Sequence, residues 1–440
     1  MTDRNLLEPG ASRLGNLYDE DPDTPQPRAL LEHADDAPRL SVFWDEHGAS
    51  VEKWFSGHVR WGDDPDRTKF RYDVPKYLHF RDHYGDVALV GCRSGRSDSE
   101  LVSGMGRGYI HPTYTVLDRM KAADYERPYG LRSTMSGLRD WVGVQSIHQG
   151  QTVKADGLIS AVSYALESPP DIPVTDVEGL VLVPSWGVRF EEPDTTLLDE
   201  RMYIQTWFSE QRTWDDHLVL HRAVRDLISL SRWRAEQITG LLARADANTA
   251  ERAEDRPWSP TLAPGVIRPA PESTRWQHLI SYDDVGVGGI AAWLRLRDAY
   301  HRAIDPVMSS LYLDTPVESR VSQVGIGLEA LGYLLAIDRE GKSKRVAKDM
   351  TYTDRFTLVA GPLDEVLPFD TATWAEEFAN AYNAVKHVNR DLPDVIDMLN
   401  LWRESTLVFR VWAAAELGVD MKVLAQRVEA DHQIHPFVRQ

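Results

Sequence analysis

Cysteine is almost missing from the chain. Cys92 stands alone, so no intrachain disulfide can form, and a zinc site of four cysteines, or of two cysteines and two histidines, is excluded. Long apolar runs are missing as well, none reaching the ~18 residues that cross a bilayer. The stretch Met1 to Pro9 lacks the basic and apolar parts of a signal peptide. Together these absences predict a cytoplasmic protein with no membrane partner. Positive charge is also short, since 49 Lys and Arg face 68 Asp and Glu for a formal net charge of −19. A field of that sign repels polyanions, so any contact with nucleic acid must be made by local groups.

What is present divides the chain of 440 residues into parts. Residues 1–37 are rich in Asp, Glu and Pro and lack periodicity, which predicts a flexible acidic arm. Residues 38–244 are rich in short alternating runs such as Tyr77-Leu78-His79-Phe80, Val87-Ala88-Leu89-Val90 and Leu180-Val181-Leu182-Val183. These predict strands of a sheet or sandwich. Leu220, Val224, Leu227, Trp233, Ile238 and Leu241 then mark an amphipathic helix over 215–243 that closes this domain. Residues 245–284 carry Pro257, Pro260, Pro264, Pro269 and Pro271, the composition of a linker.

Residues 285–425 read as an all-α bundle, with 426–440 as a tail, so the fold class is α+β multidomain. Trp293, Leu296, Tyr300, Ile304, Val307 and Leu311 recur at helical spacing, as do Val317, Val321, Val324, Leu328, Leu331 and Leu335. A weaker helix or turn covers about 343–359. Another helix starts near Thr371 with Asp370 as its cap, and a last one runs from about Val395 to Leu417, stopped by Gly418.

The most informative stretch is Ala381-Tyr382-Asn383-Ala384-Val385-Lys386-His387-Val388-Asn389-Arg390. On a continuous helix, positions i, i+4 and i+7 point within roughly 40° of one another, so Asn383, His387 and Arg390 would share a stripe until Pro393 ends it. An imidazole beside an amide and a cation can move a proton to or from an oxygen and stabilise a phosphate without a metal. A single helix histidine is more often a plain surface residue. Lys342, Lys344, Arg345 and Lys348 form a basic cluster in the same half, either a solvated loop or a contact for RNA phosphates.

The segment resembles the signature of HEPN domains, helical ribonuclease modules whose motif reads Arg, a polar residue, three variable residues, then His. Asn383 and His387 match, while Tyr382 stands where the family has Arg. Lys386 or Arg390 would have to supply that charge, Arg390 being favoured by the helical stripe. Glu329, in Gly327-Leu328-Glu329-Ala330-Leu331, is similar to the acidic residue these domains carry on the helix packed against the motif helix, where it would orient His387. Upstream, Leu40-Ser41-Val42-Phe43-Trp44-Asp45-Glu46, Trp54-Phe55-Ser56-Gly57-His58-Val59 and Gly137-Leu138-Arg139-Asp140-Trp141-Val142-Gly143 resemble the N-terminal domain of ApeA-like proteins of bacterial anti-phage defence. The resemblance implies a metal-independent endoribonuclease without cofactor that acts on transfer or messenger RNA, answers a phage-derived trigger and causes abortive infection. It also implies a homodimer or larger even oligomer, because HEPN sites form where two motif helices meet. The alternative is an inactive HEPN-like binding or regulatory protein that dimerises through its bundle.

Other candidates are weaker. His217 and His221 have the i, i+4 spacing of metal ligands but no third ligand. His79 and His83 share that spacing in strand-like sequence, where it spans about 13 Å. Gly104, Gly106 and Gly108 suggest a phosphate loop, yet no Lys-Ser or Lys-Thr follows. No serine lies in a nucleophile-elbow context.

Overall fold

The computed structural model describes residues 5–18, 26–34, 37–45, 49–57, 61–100, 104–118, 122–191, 195–246, 258–272 and 277–438. His58, Val59, Ser103 and Pro257 lie outside them. Up to residue 262 the order is β1 (Ser12–Tyr18), β2 (Arg28–Ala34), β3 (Ala37–Trp44), α1 (Ala49–Glu52), β4 (Tyr77–Arg81), β5 (Asp86–Val90), β6 (Arg93–Ser99), β7 (Gly106–His111), β8 (Tyr114–Val116), β9 (Gly130–Met135), α2 (Leu138–Val142), β10 (Ile147–Val153), β11 (Ile159–Leu166), β12 (Ile172–Pro173), β13 (Leu180–Glu191), β14 (Thr195–Trp207), α3 (Trp214–Arg232), β15 (Ile238–Arg244) and β16 (Ser259–Leu262). Seven helices follow: α4 (Tyr282–Tyr312), α5 (Val317–Asp338), α6 (Lys344–Asp349), α7 (Tyr352–Ala360), α8 (Thr371–Lys386), α9 (Val395–Glu416) and α10 (Met421–Glu429). The chain forms two compact units, Met1–Thr134 with Tyr203–His221 and Ile238–Pro269, and Met135–Met202 with Arg222–Gln237 and Ala270–Gln440.

The first unit is a large antiparallel sheet with strand order β14-β9-β15-β16-β8-β5-β4-β1-β2-β3-β7-β6. Of the two architectures that the alternating runs allowed, it is the sheet. Leu17, Leu31, Leu40, Val42, Leu78, Phe80, Val87 and Leu89 pack into one core beneath it. The segment expected to be an arm carries β1 and β2, and Ala29, Leu31 and Leu17 are fully buried there. Its acidity hid two strands whose apolar residues are few but correctly spaced. Likewise β16 lies in the expected linker, between β15 and β8, where Pro260 stands opposite Leu242 and its carbonyl accepts from the Leu117 amide at 2.9 Å. The glycines around residue 106 form no phosphate loop, and two of them serve packing. Gly106 and Gly108 belong to β7, and the rings of Trp44 and Phe55 occupy the space a Cβ would take.

The helix expected over 215–243 ends at Arg232. Trp233 follows in a left-handed conformation, φ 48°, and Ile238 and Leu241 belong to β15. Periodicity alone ran two elements together, since the buried residues of the strand continued the helical spacing by coincidence. On α3, His217 and His221 are fully buried and hold hydrogen bonds rather than a metal. Thr206 Oγ1 lies 2.7 Å from His217 Nδ1 and 2.9 Å from His221 Nε2, Ser133 Oγ lies 2.6 Å from His221 Nδ1, and His217 Nε2 lies 3.1 Å from Pro128 O. One proton assignment satisfies the chain with both rings neutral: His217 donates to Pro128, Thr206 to His217, His221 to Thr206 and Ser133 to His221. Burial holds the His217 pKa below the usual imidazole value.

In the second unit α5 packs against α4, α7, α8 and α9. By length and composition this helix alone among the described residues could cross a membrane, but its Val321, Val324, Leu328, Leu331 and Leu335 are core residues of the bundle. The end of α3 in this unit is closed by Arg410 of α9, whose guanidinium donates to Leu230 O at 2.8 Å and Ser231 O at 2.9 Å and pairs with Asp431 at 2.8 Å. Those carbonyls have no partner within the helix, so a buried cation there answers both their hydrogen-bonding need and the helix dipole. The start of α4 falls within the expected linker, and α10 runs across the expected bundle–tail boundary.

Candidate functional site

Asp370 starts α8 by accepting from the Thr373 amide at 2.7 Å. Trp374, Ala375, Phe378, Ala379, Ala381 and Tyr382 then bury one face of the helix. The helix stops at Lys386. His387 is its C-cap, with φ −128° and ψ 108°, and its amide still donates to Asn383 O at 3.0 Å. The expected stripe of Asn383, His387 and Arg390 is therefore not formed. Arg390 sits in the turn beyond the helix, where its amide donates to His387 O, and both side chains are exposed. Asn383 is half-buried on the last full turn. Among the described residues the His387 imidazole has no hydrogen-bond partner.

Tyr382 points inward and is 1% exposed. Its hydroxyl donates to Glu329 Oε2 at 2.9 Å, and its ring lies where a Cβ on Gly325 of α5 would be. Burial, reinforced by the Glu329 charge, pushes the phenol well above its ordinary pKa, so it remains a donor. The other carboxylate oxygen of Glu329 accepts from Arg355 Nη1 at 2.9 Å. Glu329 thus packs against the motif helix as expected but is spent on Tyr382 and Arg355, not on His387. Lys386 completes the cluster: its ammonium donates to Tyr352 OH at 2.8 Å and to Tyr382 OH at 3.4 Å, and lies 3.8 Å from Glu329. It also stands 4.8 and 4.6 Å from the Tyr352 and Tyr382 ring centres, within cation–π range.

Tyr352 and Arg355 were not singled out from sequence. The signal for them is the capping box of Thr351 and Asp354, which fixes the start of α7 and so places Tyr352 on its first turn and Arg355 one turn on. Beside this cluster, α7 and α8 flank a cleft of about 500 Å³ lined by Lys348, Thr351, Tyr352, Thr353, Asn380 and Asn383, with Glu329 and Arg355 in its wall. On the α9 side of α8 a second cleft of about 490 Å³ carries Glu377, Asp397 and Glu404, and Asn380, on the ridge between the two, lines both clefts. Of the basic cluster, only Lys348 reaches the first cleft. Lys342 pairs with Glu340 at 3.2 Å, and Lys344 and Arg345 are exposed on α6.

A helical bundle that ends its motif helix in an Asn-x-x-x-His step is of the HEPN class, and residues 298–423 match the Apea-like HEPN domain. Residues 50–288 match ApeA N-terminal domain 1. Because that match covers more than half of the chain, the protein belongs to the ApeA family, in which this domain precedes a HEPN bundle of nuclease type. No curated protein and no solved structure matches the chain.

Proposed function

We propose that the chain is a metal-independent endoribonuclease of anti-phage defence, with residues 285–425 as the catalytic bundle and 38–244 as its β-rich sensing or regulatory part. The reading rests on one observation: His387 is exposed and unpartnered at the end of α8, directly after a cation, Lys386, held in place by two tyrosines. In the reaction His387 takes the proton of a ribose 2′-hydroxyl or gives one to the leaving 5′-oxygen, leaving a 2′,3′-cyclic phosphate. Lys386 neutralises the phosphate. This assigns the charge missing at Tyr382 to Lys386, since Arg390 lies off the helix and without an aligning partner. Asn383 orients the phosphate or the imidazole from one turn away. Two copies of α8 supply the full set of groups, so the active form is a homodimer or larger even oligomer, in the cytoplasm, acting on transfer or messenger RNA when a phage-derived trigger is present.

The second reading, an inactive binding or regulatory bundle, draws on Tyr382, which is buried and committed to Glu329 where the motif has its Arg. Sequencing RNA ends from cells that produce the wild type or His387→Ala separates the two. New ends carrying cyclic phosphate in the wild type alone support the nuclease. Identical end profiles in both leave the binding reading standing.

A further inference from the structure

The two flanks of α8 differ in chemistry. Toward α9, the cleft is acidic, and burial pushes the Glu404 carboxyl up while Glu377 adds a like charge. A phosphodiester is repelled there. Toward α7, the cleft offers uncommitted hydrogen-bonding groups. Among the described residues, the carboxamides of Asn380 and Asn383, the Thr353 hydroxyl and the Lys348 ammonium have no partner in the protein. Arg355, 7% exposed and in the wall of the cleft, keeps a buried Nε without a partner. The one carboxylate in that wall, Glu329, is neutralised by Arg355 and Lys386.

We infer that the α7–α8 cleft is a nucleoside subsite that seats one unpaired base of single-stranded RNA next to the phosphate held by Lys386. The inference rests on the nuclease reading for its substrate class and adds to it where the strand lies and how it is read. The volume suits one nucleoside, since ligand sites run from roughly 300 to 1,000 Å³. Carboxamides offer a donor and an acceptor side by side, the pattern that pairs with the edge of a base. Unpaired bases are what RNA-reading proteins address, because the edges of duplex RNA are hidden in its deep groove. Asn380 presents this pattern from α8, with the Thr353 hydroxyl of α7 in the same cleft, while Asn383, one turn nearer the helix end, stays with the reacting phosphate. Lys348 takes the phosphate on the far side of the nucleoside. The excess of acidic groups elsewhere then confines the strand to this one track.

The test uses the full-length His387→Ala chain and fluorescein-labelled short homopolymers of A, C, G and U, with an RNA duplex as the competitor form. The expected result is single-strand binding with a preference among the four bases. Asn380→Ala weakens the preferred oligomer roughly fivefold to tenfold, as loss of one or two hydrogen bonds does, and flattens the preference. Lys348→Gln weakens all four alike, and Asp397→Asn on the acidic side changes neither affinity nor preference. Unaltered preference in Asn380→Ala, or equal binding of duplex and single strand, overturns the subsite. Because Asn380 is exposed, its variant is expected to keep the wild-type melting temperature, and because it borders both clefts, Thr353→Val, which lines the α7 side alone, is expected to flatten the preference as well; an unaltered preference there overturns the subsite. The outcomes remain separable from the nuclease reading. Binding as described with no RNA ends from the wild type removes the nuclease and keeps the subsite, while cyclic-phosphate ends with an unchanged Asn380→Ala removes the subsite alone.

Discussion

The Tyr382 hydroxyl donates to Glu329 Oε2 across the α5–α8 contact, at 2.9 Å, and so fills the position where the HEPN motif has a guanidinium. The carboxylate it satisfies already holds Arg355. Tyr382→Phe is expected to cost about 1.5–3 kcal/mol, the usual net worth of a hydrogen bond to a charged group. Tyr382→Arg is expected to cost more, because it places a second cation beside Arg355 in a space that Gly325 leaves only for a flat ring. Urea denaturation measures both. A Tyr382→Arg chain as stable as the wild type would mean that the pocket accepts the charge of the HEPN motif.

Lys386 and Arg390 flank His387, but only Lys386 is aligned, by Tyr352 and Tyr382. Lys386→Ala is expected to lower RNA cleavage on the order of a hundredfold, the scale of losing one preorganised charge at a reacting phosphate. Arg390→Ala is expected to lower it much less. Cleavage assays on both variants decide, and the reverse order would return the phosphate to Arg390.

The Ser133–His221–Thr206–His217 chain is satisfied with both rings neutral, and burial disfavours their charged forms. His217 has a lowered folded pKa, and burial also takes His278 and His432 down to about 4. The unfolded imidazoles, at about 6.5, therefore bind protons first as pH falls. Stability is fully present above that value and is lost as pH drops below it. Thermal melts at pH 7.5 and 5 are expected to show the lower midpoint at pH 5. His217→Gln, which removes one titrating group, is expected to shrink the difference, and equal slopes in the two chains would place the sensitivity elsewhere.

Arg410 is fully buried between the end of α3 and Asp431. Arg410→Ala is expected to destabilise the fold by about 3–5 kcal/mol, because it strands the buried Asp431 carboxylate together with the Leu230 carbonyl, the Ser231 carbonyl keeping the Leu279 amide. Restoring length without charge, as Arg410→Met, is expected to recover little of this in a denaturation midpoint, unless Asp431→Asn is added to remove the unpaired charge.

The bundle was legible because its helices state their own limits. Asp370 capped α8 as its sequence said, and the apolar rows of α4 and α5 fell on buried faces. The C-terminal end of α8 was not. No glycine marks it, and Pro393 restricts only the residue before it, so nothing local distinguished a stop at Lys386 from one several residues later. The role of Glu329 was half legible. Its helix was right, but which of three neighbours it would choose depended on Arg355, which arrives from another helix and carries no motif. In the β-rich half, period-2 runs located β4, β5 and β13, whereas the α3–β15 junction was hidden because the apolar spacing did not change where the backbone did.

His387 caps a helix instead of riding on it, and among the described residues no hydrogen bond aims its imidazole. The bundle can thus be complete as a fold while the proposed proton carrier has no fixed bearing. Whatever closes over that turn, whether a second motif helix or the RNA itself, sets the direction of the ring. If the chain is the nuclease proposed above, folding and arming are separate events in it, and a cell that must survive its idle copies gains from keeping them apart.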